Sequence, residues 1–172
     1  YGVRFTNTTG QRVLVVLSVD GINAVTGETA NPSQGGYVLE PWESAEISGW
    51  RKSMDDIAQF VFTDLGDSYA ARTGRPRNVG VIGVAVFEES RPRYYPSPMP
   101  PIARGREYER DEAKAAAPAS GAMNEAAADS SAQRQSMGTG HGQREWSPVG
   151  QTTFVHASRS PAQVTQLRYD DA

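Results

Sequence analysis

The sequence of 172 residues contains no cysteine and only two histidines, His141 and His156. Without cysteine, disulfide frameworks, thiolate metal sites and cysteine nucleophiles are all excluded. The two histidines have no carboxylate at ligand spacing beside them, whereas a zinc site usually needs three or four ligands. We therefore predict neither a metal site nor a cofactor.

An excess of basic residues is also missing. The 17 basic and 20 acidic residues give a formal net charge of −3, and a nucleic-acid-binding surface would show clustered excess base. No apolar run approaches the ~18 residues of a membrane helix, and the densest run is Val13–Leu17. We expect no nucleic acid partner and no membrane span.

The chain begins at Tyr1 rather than at Met. Removal of an upstream segment, such as a secretory signal, would explain this start. We therefore expect an exported or cell-surface protein in preference to a cytoplasmic one.

Short apolar runs separated by turn residues dominate the two ends of the sequence. Val3 and Phe5 alternate with polar residues, which predicts a half-buried strand. The stretch 13–19 is apolar on both faces, as in a fully buried strand, and Asp20-Gly21 after it predicts a hairpin turn. About eight such strands predict a mainly β fold. We expect a single β-sandwich, Ig-like or jelly-roll-like, with a long low-complexity insert.

Several shorter elements are predicted from local signals. Ser53 could cap one helical turn through Asp55 and Asp56, and a second helical turn is expected at 69–72. Two strands are expected late in the chain, at 151–156 and 164–169, and they should pair with strands that precede the insert.

The segment 91–137 differs in composition from the rest. It runs from a proline-rich spacer through a charged stretch into Ala, Ser, Gln and Gly. Ordering each residue costs about 1–2 kcal/mol, which the few large apolar side chains of this segment cannot offset. We expect residues 1–90 and 138–172 to form one domain, and 91–137 to be an arm that mediates homo-oligomerisation.

The glycine-rich string Gly138–Gly142 is the most conspicuous local pattern. A phosphate-binding loop needs such glycines directly after a strand, with a lysine at fixed spacing. Low-complexity sequence precedes this string and no lysine follows it. We predict a flexible hinge through which the chain re-enters the domain.

Candidate binding residues are aromatic or arginine side chains in predicted turns and loops. Trp42 follows Pro41 in a turn and should be exposed, which suits stacking on a sugar or contact with a protein, although large aromatics are more often structural. The arginines at 72–77 form a local basic loop that suits an acidic partner. The candidate set is Tyr37, Trp42, Arg72, Arg75 and Arg77.

No constellation identifies a catalytic residue. The acidic residues Glu40, Glu43 and Glu46 cluster around a proline, but charges on an edge strand commonly serve to block aggregation. A hydrolase that uses Glu43 or Glu46 with His156 is the one enzymatic alternative, and it requires these groups to converge on one pocket.

Six short strings form a further pattern, at 19–23, 26–28, 36–39, 49–53, 72–76 and 80–84. In combination they resemble a group of bacterial proteins that has no assigned activity. The resemblance implies a bacterial source and carries no catalytic residue onto this chain.

Three function classes remain. We expect first a non-enzymatic, self-associating β-sandwich subunit, such as that of an extracellular filament or surface assembly. The alternative is a binding module for a glycan or a protein. The third is a hydrolase of unspecified substrate.

Overall fold

A computed structural model describes residues 1–92 and 135–170, so most of the predicted insert lies outside the described residues. Within them, the chain is mainly β, with ten strands in three antiparallel sheets and three short helical turns. The strands are β1 (Val3–Thr6), β2 (Val13–Val19), β3 (Ile22–Asn23), β4 (Tyr37–Leu39), β5 (Ser44–Ile47), β6 (Gly49–Arg51), β7 (Asp56–Asp64), β8 (Val81–Glu88), β9 (Met137–Trp146) and β10 (Gln163–Arg168).

The largest sheet has the order β10-β8-β2-β3, and β4 also pairs with β2. β2 lies at its centre because both of its faces are apolar, and Val13 to Leu17 are all buried as the sequence predicts. The turn after β2 carries positive φ angles of 54° at Asp20 and 73° at Gly21, which confirms the predicted hairpin.

Two smaller sheets complete the described structure. One has the order β6-β7-β9, and the other pairs β1 with β5. As expected, the strands that follow the insert pair with strands that precede it: β9 with β7, and β10 with β8. β9 begins at Met137, the last residue of the predicted insert.

The main core joins side chains from several of these strands. Trp50 and Phe60 are completely buried and meet edge to face, with ring centroids 4.8 Å apart. Leu17, Val19 and Ile22 belong to the same cluster. Burying an apolar side chain of this size contributes about 1.5–3 kcal/mol, so this cluster fixes how β6 and β7 lie against the hairpin of β2 and β3.

The predicted hinge at Gly138–Gly142 is wrong, because these residues form the first half of β9. The glycines make room for neighbouring side chains. A Cβ at Gly142 would lie 2.7 Å from Val61 Cγ1, and one at Gly138 would lie 2.5 Å from Ser68 Cβ. Close packing, rather than flexibility, accounts for this glycine pattern.

Two further local predictions are wrong. Ser53 does not cap a helical turn; its Oγ accepts from the N–H groups of Asp55 and Asp56, at 3.2 and 3.0 Å, in the turn that leads into β7. The stretch 151–156 is not a strand and makes a single bridge, between His156 and Glu89. The helical turn α1 (Tyr69–Arg72) and strand β10 confirm the other two.

None of the helices in the part of the chain that the structure describes is both long and apolar enough to cross a membrane.

Candidate functional site

A shallow pocket lies where α1 packs beside β9. Ser68 caps α1, since its Oγ accepts the N–H of Ala71 at 3.1 Å, and this cap fixes the direction in which Tyr69 and Arg72 project. The pocket encloses about 240 Å³. Its lining residues are Asp67, Tyr69, Arg72, Thr73 and His141.

An aromatic pair forms one wall of the pocket. The rings of Tyr69 and His141 stack with their centroids 3.8 Å apart and an interplanar angle of 23°. The buried Trp50 supports both, with its ring 5.2 Å from Tyr69 and 4.9 Å from His141. The core therefore holds these two side chains in place at the surface.

Lys52 reaches the same pair from the turn after β6. Its Nζ lies 3.3 Å from Nε2 of His141 and 5.4 Å from the centre of the Tyr69 ring. A lysine ammonium can only donate, so Nε2 of His141 accepts and the imidazole is neutral in this arrangement.

Burial and neighbouring cations lower the pKa values of His141 and Lys52. Burial lowers the pKa of His141 to about 4, and the charges of Lys52 and Arg72 act in the same direction. Burial also lowers the pKa of Lys52, to which the charge of Arg144 adds. Loss of hydration and nearby positive charge therefore both favour the neutral form of His141.

The cations of the pocket are not held in ion pairs within the described ranges. There, neither Lys52 nor Arg72 forms an ion pair, although Arg4, Arg12 and Arg144 do. Asp67 is the one acidic residue that lines the pocket, and it forms no ion pair with either cation. We name this set of Lys52, Tyr69, Arg72 and His141 the cationic pocket.

The arginines predicted from the sequence separate in the structure. Arg72 belongs to the cationic pocket. Arg75 lies over Tyr69, with its guanidinium 6.0 Å from the ring centre, and donates to the carbonyl of Gly27 at 3.5 Å. Arg77 lies in the short helical turn Pro76–Asn78. Tyr37, on β4, instead accepts a hydrogen bond of 3.3 Å from Arg51 Nε.

Trp42 is exposed as predicted, with 68% of its surface accessible. It occupies a tight turn in which Glu43 N donates to Glu40 O at 3.1 Å. Its φ of 62° is a left-handed value that normally calls for glycine at this turn position. Holding a bulky residue there costs about 1–2 kcal/mol.

Four hydrogen bonds hold this turn rigidly. Besides the turn bond itself, Glu40 N donates to Glu43 Oε2 at 2.6 Å. Asn7 donates through its backbone N to Glu43 O at 2.8 Å and through Nδ2 to Glu40 O at 2.9 Å. We name residues 40–43 the Trp42 turn. In the described residues Trp42 itself has no ring contact, hydrogen bond or ion pair.

The groups of the hydrolase alternative make separate contacts. The carboxylate of Glu43 closes the Trp42 turn, and that of Glu46 pairs with Arg4 at 3.0 Å. His156 packs edge to face on Phe87, with centroids 4.8 Å apart. Of the two pockets described, the one beside Tyr1 is lined by Glu46 without Glu43 or His156, and the one beside α1 is lined by none of the three.

A second polar cluster is buried beneath the hairpin turn. Asp20 is completely buried, and its carboxylate accepts from Gly80 N at 2.9 Å, Thr139 N at 2.7 Å and the Tyr169 hydroxyl at 2.6 Å. Thr139 Oγ1 also lies 2.5 Å from the hydroxyls of Tyr1 and Tyr169. We name these four residues, Tyr1, Asp20, Thr139 and Tyr169, the buried acid cluster.

Burial raises pKa values throughout the buried acid cluster. The pKa of Asp20 is raised by loss of hydration, against which its three hydrogen bonds act. The pKa of Tyr1 is raised to about 12 by the same cause. Every polar group of the cluster has a partner, so its role is to join the hairpin turn to β8, β9 and the end of the chain.

Sequence reasoning missed Lys52, Tyr69 and His141 as members of one site. Lys52 and His141 are 89 residues apart and meet only because β6 and β9 flank β7. The weak signal that was available is the histidine inside a glycine-rich strand, since glycine neighbours leave its ring accessible.

Comparison with known proteins gives no significant match to a family model, a curated protein or a solved structure. The function is therefore argued from the geometry of this chain.

Proposed function

We propose that this protein is a binding module whose cationic pocket accepts a single anionic group, a carboxylate, carried by a protein partner. One observation supports this above all: Lys52 and Arg72 lie beside a neutral histidine with no acidic partner in the described ranges. A bound carboxylate would supply the missing negative charge and accept charge-assisted hydrogen bonds.

The size and shape of the pocket favour one side chain over a larger ligand. Its volume of about 240 Å³ lies below the roughly 300–1,000 Å³ of pockets that enclose drug-sized molecules. The Tyr69 and His141 rings offer an apolar wall next to the charge, which suits an acidic residue with an apolar neighbour.

The test is a titration of the full chain with the blocked tripeptide Glu-Trp-Glu, followed through the NMR signals of His141. The matched ligand is Gln-Trp-Gln, and inorganic phosphate is a separate arm. We expect saturable shifts with Glu-Trp-Glu, weakening with salt because the contact is exposed. Arg72→Gln and Lys52→Gln should each weaken binding about tenfold, the effect of one hydrogen bond to a charged group.

Arg159→Gln is the matched control, because Arg159 is an exposed arginine that does not line the pocket. It should bind like the parent chain. Equal binding of Glu-Trp-Glu and Gln-Trp-Gln would contradict the proposal, since the pocket would then not select charge. Binding of phosphate alone would show an adventitious anion only.

The second candidate function is the self-associating subunit expected from the sequence, a β-sandwich of residues 1–90 and 138–172 in a filament or surface assembly. The supporting observation is strand β10, which pairs with β8 alone in the described structure and exposes Val164 and Leu167. An open strand edge of this kind can template pairing with another chain.

Light scattering at several concentrations tests this second function. Lysine at Val164 and Leu167 should abolish assembly through β10 without unfolding the chain, because both side chains are exposed. Deletion of 93–134, with Pro92 joined to Gln135 by a Gly/Ser loop, separately tests assembly through the insert. A parent chain that is monomeric at every concentration would overturn the second function.

A further inference from the structure

The Trp42 turn and the cationic pocket have complementary properties. The turn presents an exposed indole between two exposed glutamates, Glu40 and Glu43. The pocket presents an aromatic wall beside Lys52 and Arg72. Within the described part of the chain, Trp42 has no ring contact and neither Lys52 nor Arg72 forms an ion pair, whereas Glu40 pairs with Arg12 at 3.5 Å and keeps 63% of its side chain accessible.

We infer that the cationic pocket of one copy receives the Trp42 turn of a second copy, so that copies of this chain associate head to tail. This inference rests on the proposed function of the pocket and names its partner. The carboxylates of Glu40 and Glu43 meet Lys52 and Arg72, while the Trp42 indole packs on the Tyr69 wall.

The backbone of the Trp42 turn is held in a conformation that tryptophan rarely adopts. A left-handed φ at an exposed tryptophan is kept only where the surrounding structure enforces it, and the four hydrogen bonds of the turn do so. The backbone therefore fixes the direction in which the Cβ of Trp42 projects before binding. Tryptophans are frequent hot spots of protein interfaces.

The charges of the Trp42 turn and of the cationic pocket are opposite in sign. Glu40 and Glu43 are both exposed and lie within two residues of Trp42. Arg12 pairs with Glu40 and also with Glu89, so acidic groups outnumber the cation beside the indole, and a partner of the indole also meets negative charge. The cationic pocket supplies two cations and an aromatic surface in one place. Cations beside an indole also gain a cation–π contribution.

The symmetry of the proposed contact determines which assemblies it can form. The turn and the pocket are different surfaces, so the contact is heterologous: each copy that receives a turn still presents its own. Such a contact propagates into a chain or closes into a ring. It gives the expected self-association a definite geometry, distinct from pairing through the β10 edge.

The test is sedimentation equilibrium of the full chain and of three variants. Trp42→Gly suits the left-handed φ, so this variant should fold at least as stably as the parent and raise the dissociation constant by about 30-fold or more, the effect of removing a hot-spot tryptophan. Arg72→Glu, which breaks the pocket, should lose association similarly. Trp146→Gly is the matched control, because Trp146 is also an exposed tryptophan.

A mixing experiment decides between this contact and others. Trp42→Gly keeps an intact pocket and Arg72→Glu keeps an intact turn, so an equimolar mixture should form a 1:1 dimer and nothing larger. A mixture that stays monomeric overturns the inference. So does association that persists in both variants and disappears with lysine at Val164 and Leu167, which would place the contact at β10.

These experiments distinguish a wrong proposal for the pocket from a wrong proposal for its partner. If Glu-Trp-Glu binds and Arg72→Gln weakens it, but Trp42→Gly still associates, then the pocket binds carboxylates and a second copy is not its partner. If Glu-Trp-Glu does not bind, the proposed function itself is wrong.

Discussion

The buried acid cluster and the cationic pocket differ in whether their charged groups have partners within the protein. In the first, the carboxylate of Asp20 is fully buried and accepts three hydrogen bonds. In the second, Lys52 and Arg72 are exposed and have no acidic partner in the part of the chain that the structure describes. Both have shifted pKa values, so the shifts alone do not separate them.

The difference indicates which cluster holds the fold and which one is available to bind. A buried polar network with every group satisfied stabilises one arrangement of the chain and offers nothing to a ligand. Two cations without an ion pair can gain free energy when an anion binds, because the new hydrogen bonds are charge-assisted. The comparison therefore predicts large effects on stability from the first cluster and effects on binding from the second.

The largest effect on stability should come from Asp20→Asn. Asparagine tolerates the left-handed φ of this position, so the change isolates the carboxylate. Its amide nitrogen must face a backbone N–H of Gly80 or Thr139, which leaves buried donors unpaired at about 1–3 kcal/mol each. We expect the free energy of unfolding to fall by about 2–5 kcal/mol in urea denaturation.

Asp64→Asn is the control for this prediction. Asp64 is exposed and makes no side-chain cap to the helical turn after β7, so its change should stay within about 0.5 kcal/mol. Equal losses in the two variants would show that the buried acid cluster does not stabilise the fold.

A smaller loss should follow from Tyr169→Phe. The hydroxyl donates to Asp20 Oδ1 at 2.6 Å, and a hydrogen bond to a charged group contributes about 1.5–3 kcal/mol. Thermal or urea unfolding measures the change. Tyr37→Phe removes a hydroxyl that accepts a longer bond of 3.3 Å from Arg51, so its loss should be clearly the smaller of the two.

The sequence predicts the strands better than it predicts these two clusters. Apolar patterning identifies β1 by its alternation and β2 by its two apolar faces, because burial decides those positions locally. It misses β9, since Gly138, Gly140 and Gly142 have low strand propensity and are selected by contact with Val61 and Ser68.

The same limit applies to the sites. Asp20 was identified only as a turn residue, although the same position carries the buried carboxylate. The residues of the cationic pocket come from the turn after β6, from α1 and from β9. No local sequence pattern predicts that those elements meet. Trp42 was identified correctly as exposed, because a turn around Pro41 is a local signal.

A third and smaller effect is expected on the free energy of unfolding at acid pH. The pKa of His141 falls to about 4 in the folded chain from an ordinary value of 6.5. A base with a lowered pKa contributes stability that is present above pH 6.5 and is lost as the pH falls from 6.5 to 4. His141→Gln should therefore lose less stability than the parent over that interval.

The difference should be less than about 1 kcal/mol, because His141 as a residue remains exposed, its loss of hydration is only partial, and solvent screens its charge. Unfolding in urea at pH 7, 6, 5 and 4 measures it. Gln143→Ala, a non-titrating change on the same strand, is the control and should follow the parent. Asp20 acts in the opposite sense, since the contribution of an acid with a raised pKa is present at low pH and lost as pH rises.

The smallest effect on stability, and the sharpest test of the comparison, comes from Arg72→Gln. Arg72 forms no ion pair in the described ranges, and the imidazole beside it is neutral well above pH 4, so replacing Arg72 breaks no described ion pair. The free energy of unfolding at pH 7 should therefore change by no more than about 0.5 kcal/mol. The NMR titration midpoint of His141 should rise above its value of about 4. A loss of several kcal/mol would place Arg72 in the framework of the fold. It would remove the distinction drawn between the two clusters, since both would then consist of groups that the folded state already satisfies.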